Sequence, residues 1–115
     1  MKSHWRNILL AGVLLPLSLL LGGCGEDAKS LFSEGQQALS GKFYEISTDA
    51  LRRALDKDPE NESTRSSLSG AYLSWAQSLT DSGQKEEAEE VLKEGLSLLP
   101  EDPALLSLQE ALSGK

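Results

Sequence analysis

From Ala28 to Leu112 the apolar residues recur at three- and four-residue steps, and glycine or proline closes each run. That period belongs to helices packed along one face. No stretch alternates convincingly with period two and β-branched residues are scarce, so the expected fold class is all-α with about five helices. In KSLFSEGQQALSG, Ala28, Leu31, Gly35 and Ala38 share a face with Phe32 and Leu39 beside it, and Gly41 is expected to supply a left-handed stop. A second helix spans about Phe43 to Lys57, with Tyr44, Ser47, Leu51, Ala54 and Leu55 as its stripe. Asp58 and Pro59 end it, because a residue before proline is pushed out of helical geometry. The third helix follows an Asn61 cap and runs from about Glu62 to Asp81, with Leu68, Ala71, Tyr72, Trp75, Ala76 and Leu79 as a ridge and Gly83 as its stop. KEEAEEVLKEGLSLLP puts Ala88, Val91, Leu92, Gly95, Leu96 and Leu99 on one stripe before Pro100. The last helix has Asp102 as cap, Pro103 in its first turn and Leu105, Leu108 and Leu112 on its apolar side.

The start of the chain follows a different rule. Ile8 to Leu21 is almost continuously aliphatic, is preceded by Lys2 and Arg6, contains Pro16 and ends in Gly22 and Gly23. A spanning helix needs about 20 apolar residues, and this run falls short, so it reads as a signal peptide. Leu21, Gly22, Gly23 and Cys24 resemble the lipobox of bacterial lipoproteins. The resemblance implies a signal peptide over 1–23, a covalent lipid on Cys24 as the new N-terminus and a tether over 24–27, ahead of the helical domain read over 28–115. Cys24 is the one cysteine of the chain, so an intramolecular disulfide does not account for it. The plainer alternatives are a soluble secreted protein, or an uncleaved anchor, with a coincidental cysteine. Burial of acyl chains contributes about 0.8 kcal/mol per methylene, so one chain holds marginally and several hold durably. In Gram-negative families of this kind an aspartate after the cysteine signals inner-membrane retention. Gly25 stands there instead, which in a Gram-negative host implies the outer membrane, facing the periplasm.

Charge and chemistry narrow the function. Loss of residues 1–23 takes Lys plus Arg from 11 to 9 against 18 acidic residues, and the formal charge from −7 to −9. Such a surface repels phosphate backbones and anionic headgroups, so nucleic acid is not an expected partner and membrane attachment is left to the lipid. The remaining chain has no histidine, since His4 is removed, and Cys24 would be blocked as a thioether. No catalytic residue, no metal ligand and no cofactor is therefore expected. Carboxylates are the catalytic material left, and a carboxylate-dependent hydrolase is the remaining enzymatic alternative. DKDPENE spaces Asp56, Asp58, Glu60 and Glu62 like a calcium loop, but the glycine and the closing glutamate of such a loop are replaced by Asn61 and Ser67. An acidic turn is the simpler reading. Glu86, Glu87, Glu89, Glu90 and Glu94 lie opposite the Ala88–Leu99 stripe and read as a solvated face, with Glu89 spaced to pair with Lys93.

Two passages are alike: GQQALSGKFYEISTDALRRALDKDPEN and AQSLTDSGQKEEAEEVLKEGLSLLPED. The shared positions are Gly35, Tyr44, Ser47, Leu51, Ala54, Leu55 and Pro59 in the first, and Ala76, Leu79, Gly83, Ala88, Leu92, Gly95, Leu96 and Pro100 in the second. They resemble the tetratricopeptide repeat, a pair of antiparallel helices of about 34 residues. Small residues let the paired helices approach and proline redirects the chain. The resemblance implies two repeat units over most of Ala28 to Leu112, with the fifth helix as a cap. Pro59 and Pro100 lie 41 residues apart, so the second unit is long, most simply by two turns of its first helix. Gly41 also comes one residue early for the usual turn.

In this family the first helix of each pair lines a concave groove. Carried across, the groove candidates are Lys29, Phe32, Gln36, Leu39 and Ser40 in the first unit, and Gly70, Leu73, Gln77, Thr80 and Asp81 in the second. Phe32 and Leu39, one heptad apart, offer an apolar strip to a partner segment unless the third or fifth helix covers them. Tyr72 and Trp75 read as core rather than as ligand-stacking aromatics. The expected function is a lipid-anchored envelope adaptor that binds another protein, in outer-membrane, pilus or secretion assembly. The alternative is a structural lipoprotein that completes its solenoid by self-association.

Overall fold

The computed structural model of the protein describes residues 27–114, so the expected signal peptide over 1–23, Cys24 and the tether residues Gly25 and Glu26 lie outside the described residues. The described residues form five helices in sequence: α1 (Ala28–Ser40), α2 (Tyr44–Lys57), α3 (Glu62–Asp81), α4 (Lys85–Leu98) and α5 (Pro103–Ser113). No strand occurs among the described residues. α1 packs chiefly on α2 and α3 chiefly on α4, so the chain folds as two hairpins. α3 also packs on α2, and α5 closes against α4 and α3.

The helices start in two different ways, and the difference marks the repeat. α1, α3 and α5 each begin with a side-chain cap: Asp27 Oδ1 accepts from the Ser30 amide at 2.9 Å, Asn61 Oδ1 from Thr64 at 3.0 Å and Asp102 Oδ1 from Leu105 at 3.0 Å. The Ser30 amide holds the Asp27 carboxyl below the usual carboxylate range. α2 and α4 begin at Phe43 and Gln84 with no side-chain cap, because each emerges from a tight turn. α5 is thus built like the first helix of a pair.

The two turns carry the same backbone hydrogen bonds at an interval of 41. Phe43 N donates to Ala38 O at 2.8 Å and Gln84 N to Leu79 O at 2.8 Å; Lys42 N donates to Leu39 O and Gly83 N to Thr80 O. Pro59 and Pro100, and the caps Asn61 and Asp102, keep the same interval. α3 has 20 residues against 13 in α1, a difference of about two turns, which accounts for a unit longer than 34.

This equivalence corrects the expectation for Gly41. Gly41 adopts an ordinary φ of −90°, and the left-handed residue is Lys42, at φ 64°, the counterpart of Gly83 at φ 81°. A lysine held there costs about 1 kcal/mol that glycine does not. Lys42→Gly should therefore raise stability by about 0.5–1 kcal/mol, read as the shift of the urea midpoint; an unchanged or lowered midpoint would mean that the turn relaxes around lysine.

The core lies between the hairpins and under α5. Leu51, Leu68, Ala71, Tyr72, Ala76, Ala88, Leu92 and Leu105 are fully buried in one cluster, with Val91, Leu99 and Leu112 at its margin. Two close approaches set the helix spacing. A Cβ on Gly35 would sit 2.5 Å from Leu51 Cγ, and one on Gly95 would sit 2.9 Å from Tyr72 Cγ. At an interval of 41, Leu31 and Ala54 correspond to Tyr72 and Gly95, so the larger ring is matched by the smaller partner. Buried Ser47 donates from Oγ to Gly35 O at 2.8 Å, which satisfies its hydroxyl inside the first hairpin.

Candidate functional site

The groove candidates fall on α1 and α3, the first helices of the two hairpins, which touch each other far less than each touches its own partner. Lys29, Gln36, Ser40, Gln77 and Asp81 are exposed, while Phe32, Leu39, Gly70, Leu73 and Thr80 are half-buried. Phe32, Leu39 and Leu73 each lay part of their surface on the core cluster and leave part to solvent. The two hydroxyls are already engaged by their own helices: Ser40 Oγ donates to Gln37 O at 2.9 Å and Thr80 Oγ1 to Ala76 O at 2.8 Å. The amides of Gln36 and Gln77 supply exposed donors and acceptors at equivalent positions.

Lys29 and Phe32 meet Asp58, Asn61, Ser63 and Thr64 around a hollow of about 410 Å³ where α1 and α3 begin. Leu73, Gln77, Thr80 and Asp81 lie farther along α3, with Leu73 about 14 Å beyond Thr64 at the helical rise. The candidates therefore lie along two helices rather than around one enclosed pocket. Between them lies Gly70, in mid-helix, where an added Cβ would meet nothing within 4 Å. Its small size is not required by packing inside the domain.

A polar link joins the hairpins. The fully buried Tyr72 ring directs its hydroxyl to Glu94 Oε2 at 3.0 Å, Glu94 lies 4.0 Å from Arg52 Nη1, and Arg52 Nη2 pairs with Asp49 at 2.7 Å. Burial, reinforced by the hydrogen bond to Glu94, pushes the Tyr72 hydroxyl far above its usual range. Glu94 is exposed, as Glu86, Glu87 and Glu90 are, and also reaches the core through the Tyr72 hydroxyl, while Glu89 is half-buried. In the DKDPENE segment, Asn61 spends both ends of its amide on the turn: Nδ2 donates to Asp58 Oδ2 at 3.2 Å while Oδ1 caps α3. Among the described residues no group of three or more acidic, histidine or cysteine side chains is placed to hold a metal ion.

The sequence pattern leaves out one surface. Phe43 is 62% exposed and Ile46 55% exposed, and with Lys42, Tyr44, Glu45 and Trp75 they surround an open hollow of about 340 Å³. Trp75 stacks on Tyr44 at 6.5 Å between ring centroids and on Tyr72 at 6.3 Å. The expectation of a core position therefore holds fully for Tyr72, while Trp75 is half-exposed. A usable signal was present, because Phe43 and Ile46 fall outside the Tyr44–Leu55 stripe yet are apolar.

The tetratricopeptide-repeat family model matches residues 69–112, which cover the second half of α3, all of α4 and most of α5. No curated protein and no solved structure is significantly similar to the chain. The match and the five helices agree on an all-α fold of tetratricopeptide-like hairpins. Such repeats generally mediate protein–protein interaction and are generally adaptors rather than enzymes.

Proposed function

We propose that the protein is a lipid-anchored envelope adaptor that holds a segment of another envelope protein along the α1 and α3 faces, in outer-membrane, pilus or secretion assembly. The observation that carries the adaptor reading is the repeat match at 69–112, on a fold whose first-of-pair helices leave Phe32, Leu39 and Leu73 part-exposed beside the polar ends of Gln36 and Gln77. The LGGC stretch after a charged and aliphatic leader supports the anchor at Cys24, and Gly25 after it supports the outer membrane of a Gram-negative host. Three residues, Gly25 to Asp27, then separate the lipid from α1, about 10 Å of chain when extended. The adaptor works close to the bilayer.

Two substitutions test the two halves of this reading. Cys24→Ala should move the protein from the membrane fraction to the soluble envelope fraction and remove the acyl mass from its N-terminal peptide. A wild-type N-terminal peptide that carries no acyl mass contradicts the anchor. Gly70→Gln adds a side chain where the domain itself offers no obstruction, so the thermal midpoint should not fall while recovery of the partner drops at least tenfold. Recovery unchanged by Gly70→Gln removes the groove from the account.

A second reading, self-association through α5, is favoured by Leu106, which is 42% exposed on a helix whose one charged residue is Glu110. Sedimentation of the purified protein decides it: a monomer at high concentration rules out this mode.

A further inference from the structure

The two hairpin tips have the same backbone and opposite chemistry. At an interval of 41, Lys42, Phe43, Tyr44 and Ile46 of the first tip stand where Gly83, Gln84, Lys85 and Glu87 stand in the second. All four residues of the second tip are exposed, and Gln84 and Glu87 hydrogen-bond to each other. The same turn is thus made with polar side chains alone. The apolar character of the exposed Phe43 and Ile46 is not a requirement of the turn, and the lysine of the first tip occupies a left-handed position that glycine fills without strain. Large exposed apolar residues grouped in this way mark a contact surface.

We infer that the first hairpin tip, Lys42, Phe43, Tyr44 and Ile46 together with Trp75 of α3, docks into the lipid headgroup layer of the membrane that carries the protein. This inference rests on the lipid anchor proposed above. Three observations select a lipid surface as the occupant. The side chains are those that settle at a bilayer interface: aromatic rings at headgroup depth, an aliphatic residue below them and a lysine whose stem lies along the apolar layer while its ammonium meets phosphate. The exposed apolar group is neutral overall, with Lys42 and Glu45 both at its rim, whereas the rest of residues 24–115 carries −9 and is repelled by anionic headgroups. The chain outside the described residues ends at the start of α1, and α1 is about 20 Å long. A lipid on Cys24 at one end of α1 and the tip at the other give two points of attachment, which lay α1 along the membrane plane. The tip then fixes the orientation of the domain, and with it the direction in which the groove faces.

Trp75 reports on this directly, because Trp5 and Trp75 are the two tryptophans of the chain. Full-length protein carrying Trp5→Phe is purified from membranes and reconstituted into phosphatidylcholine vesicles with or without bromine on the acyl chains, and the N-terminal peptide is weighed in parallel. With acylated Cys24, bromination should lower Trp75 emission at least twofold. Phe43→Ser combined with Ile46→Ser should restore the emission while the protein stays with the vesicles. Acylated protein whose emission ignores bromination overturns the inference and leaves the anchor standing. Unacylated protein that is nevertheless quenched overturns the anchor and supports the docking tip. A photocrosslinker at position 43 that captures one envelope protein and no lipid overturns the lipid assignment in favour of a protein partner.

Discussion

Alanine at Gly35 should destabilise the protein by about 2–3 kcal/mol and at Gly95 by about 1–2, while the same change at Gly70 should stabilise it by about 1 kcal/mol. Every mid-helix glycine gains about 1 kcal/mol of helix propensity when it becomes alanine. The sign is therefore decided by what the new methyl group meets. At Gly35 it meets Leu51 Cγ at 2.5 Å and Cδ2 at 2.7 Å, and the Ser47 carbonyl at 3.3 Å. Leu51 is fully buried and has no open side to retreat to. At Gly95 the methyl meets the root of the Tyr72 side chain at 2.9–3.1 Å, the part of the ring system with the least freedom to move. At Gly70 it meets nothing. Urea midpoints for the three variants measure this; a loss at Gly70 as large as that at Gly35 would contradict the packing described here.

Tyr72→Ala should cost about 3–5 kcal/mol, comparable with the whole stability of many small domains, so the variant should be largely unfolded at 37 °C. The ring is the largest fully buried side chain of the core and sits between the close approach of Gly95 and the stacked Trp75. Tyr72→Phe keeps the ring and removes the hydroxyl, which leaves a half-exposed Glu94 able to turn to water, so the loss should be about 1 kcal/mol. The two variants also separate on the alkaline side. The Tyr72 hydroxyl keeps its proton in the folded state well above the ordinary tyrosine value of 10.0. Its contribution is therefore complete below pH about 10 and is lost as pH rises from there toward the folded value. Wild-type stability should decline above pH 10 more steeply than that of Tyr72→Phe, measured as thermal midpoints across pH 8 to 11. Parallel declines would mean that the buried hydroxyl ionises as it does in the unfolded chain.

Much of this arrangement was legible in the sequence because helix packing has a simple period. The stripes of α3 and α4, the Asn61 and Asp102 caps, Pro103 in the first turn and the extra length of α3 all follow from local rules, and local contacts dominate a stack of hairpins. What was missed has a common cause, which is that one glycine or one glutamate looks like another until its neighbours are known. Gly41 was the natural left-handed residue by type, but the Phe43 amide closes on Ala38, and that register puts Lys42 in the strained place. Glu94 belonged by position to an acidic face, yet it is the one that reaches the Tyr72 hydroxyl. Phe43 and Ile46 were absorbed into a helix as ordinary apolar residues, since a stripe says which side chains agree with the core and not which of the others are left outside. Of the groove candidates, the sequence correctly distinguished no degree of cover: Phe32, Leu39 and Leu73 divide their surface between core and solvent, an outcome between the open and covered alternatives.

The measurement that tests the central claim most directly is site-specific photocrosslinking in the native cell from Gln36 and Gln77, with exposed Ser107 of α5 as the outside position. An adaptor that works through the α1 and α3 faces predicts one envelope protein captured from both glutamines, absent from Ser107, and lost when Gly70→Gln is added. Equal capture from Ser107, capture that survives Gly70→Gln, or capture of the protein's own chain from the two glutamines would contradict it.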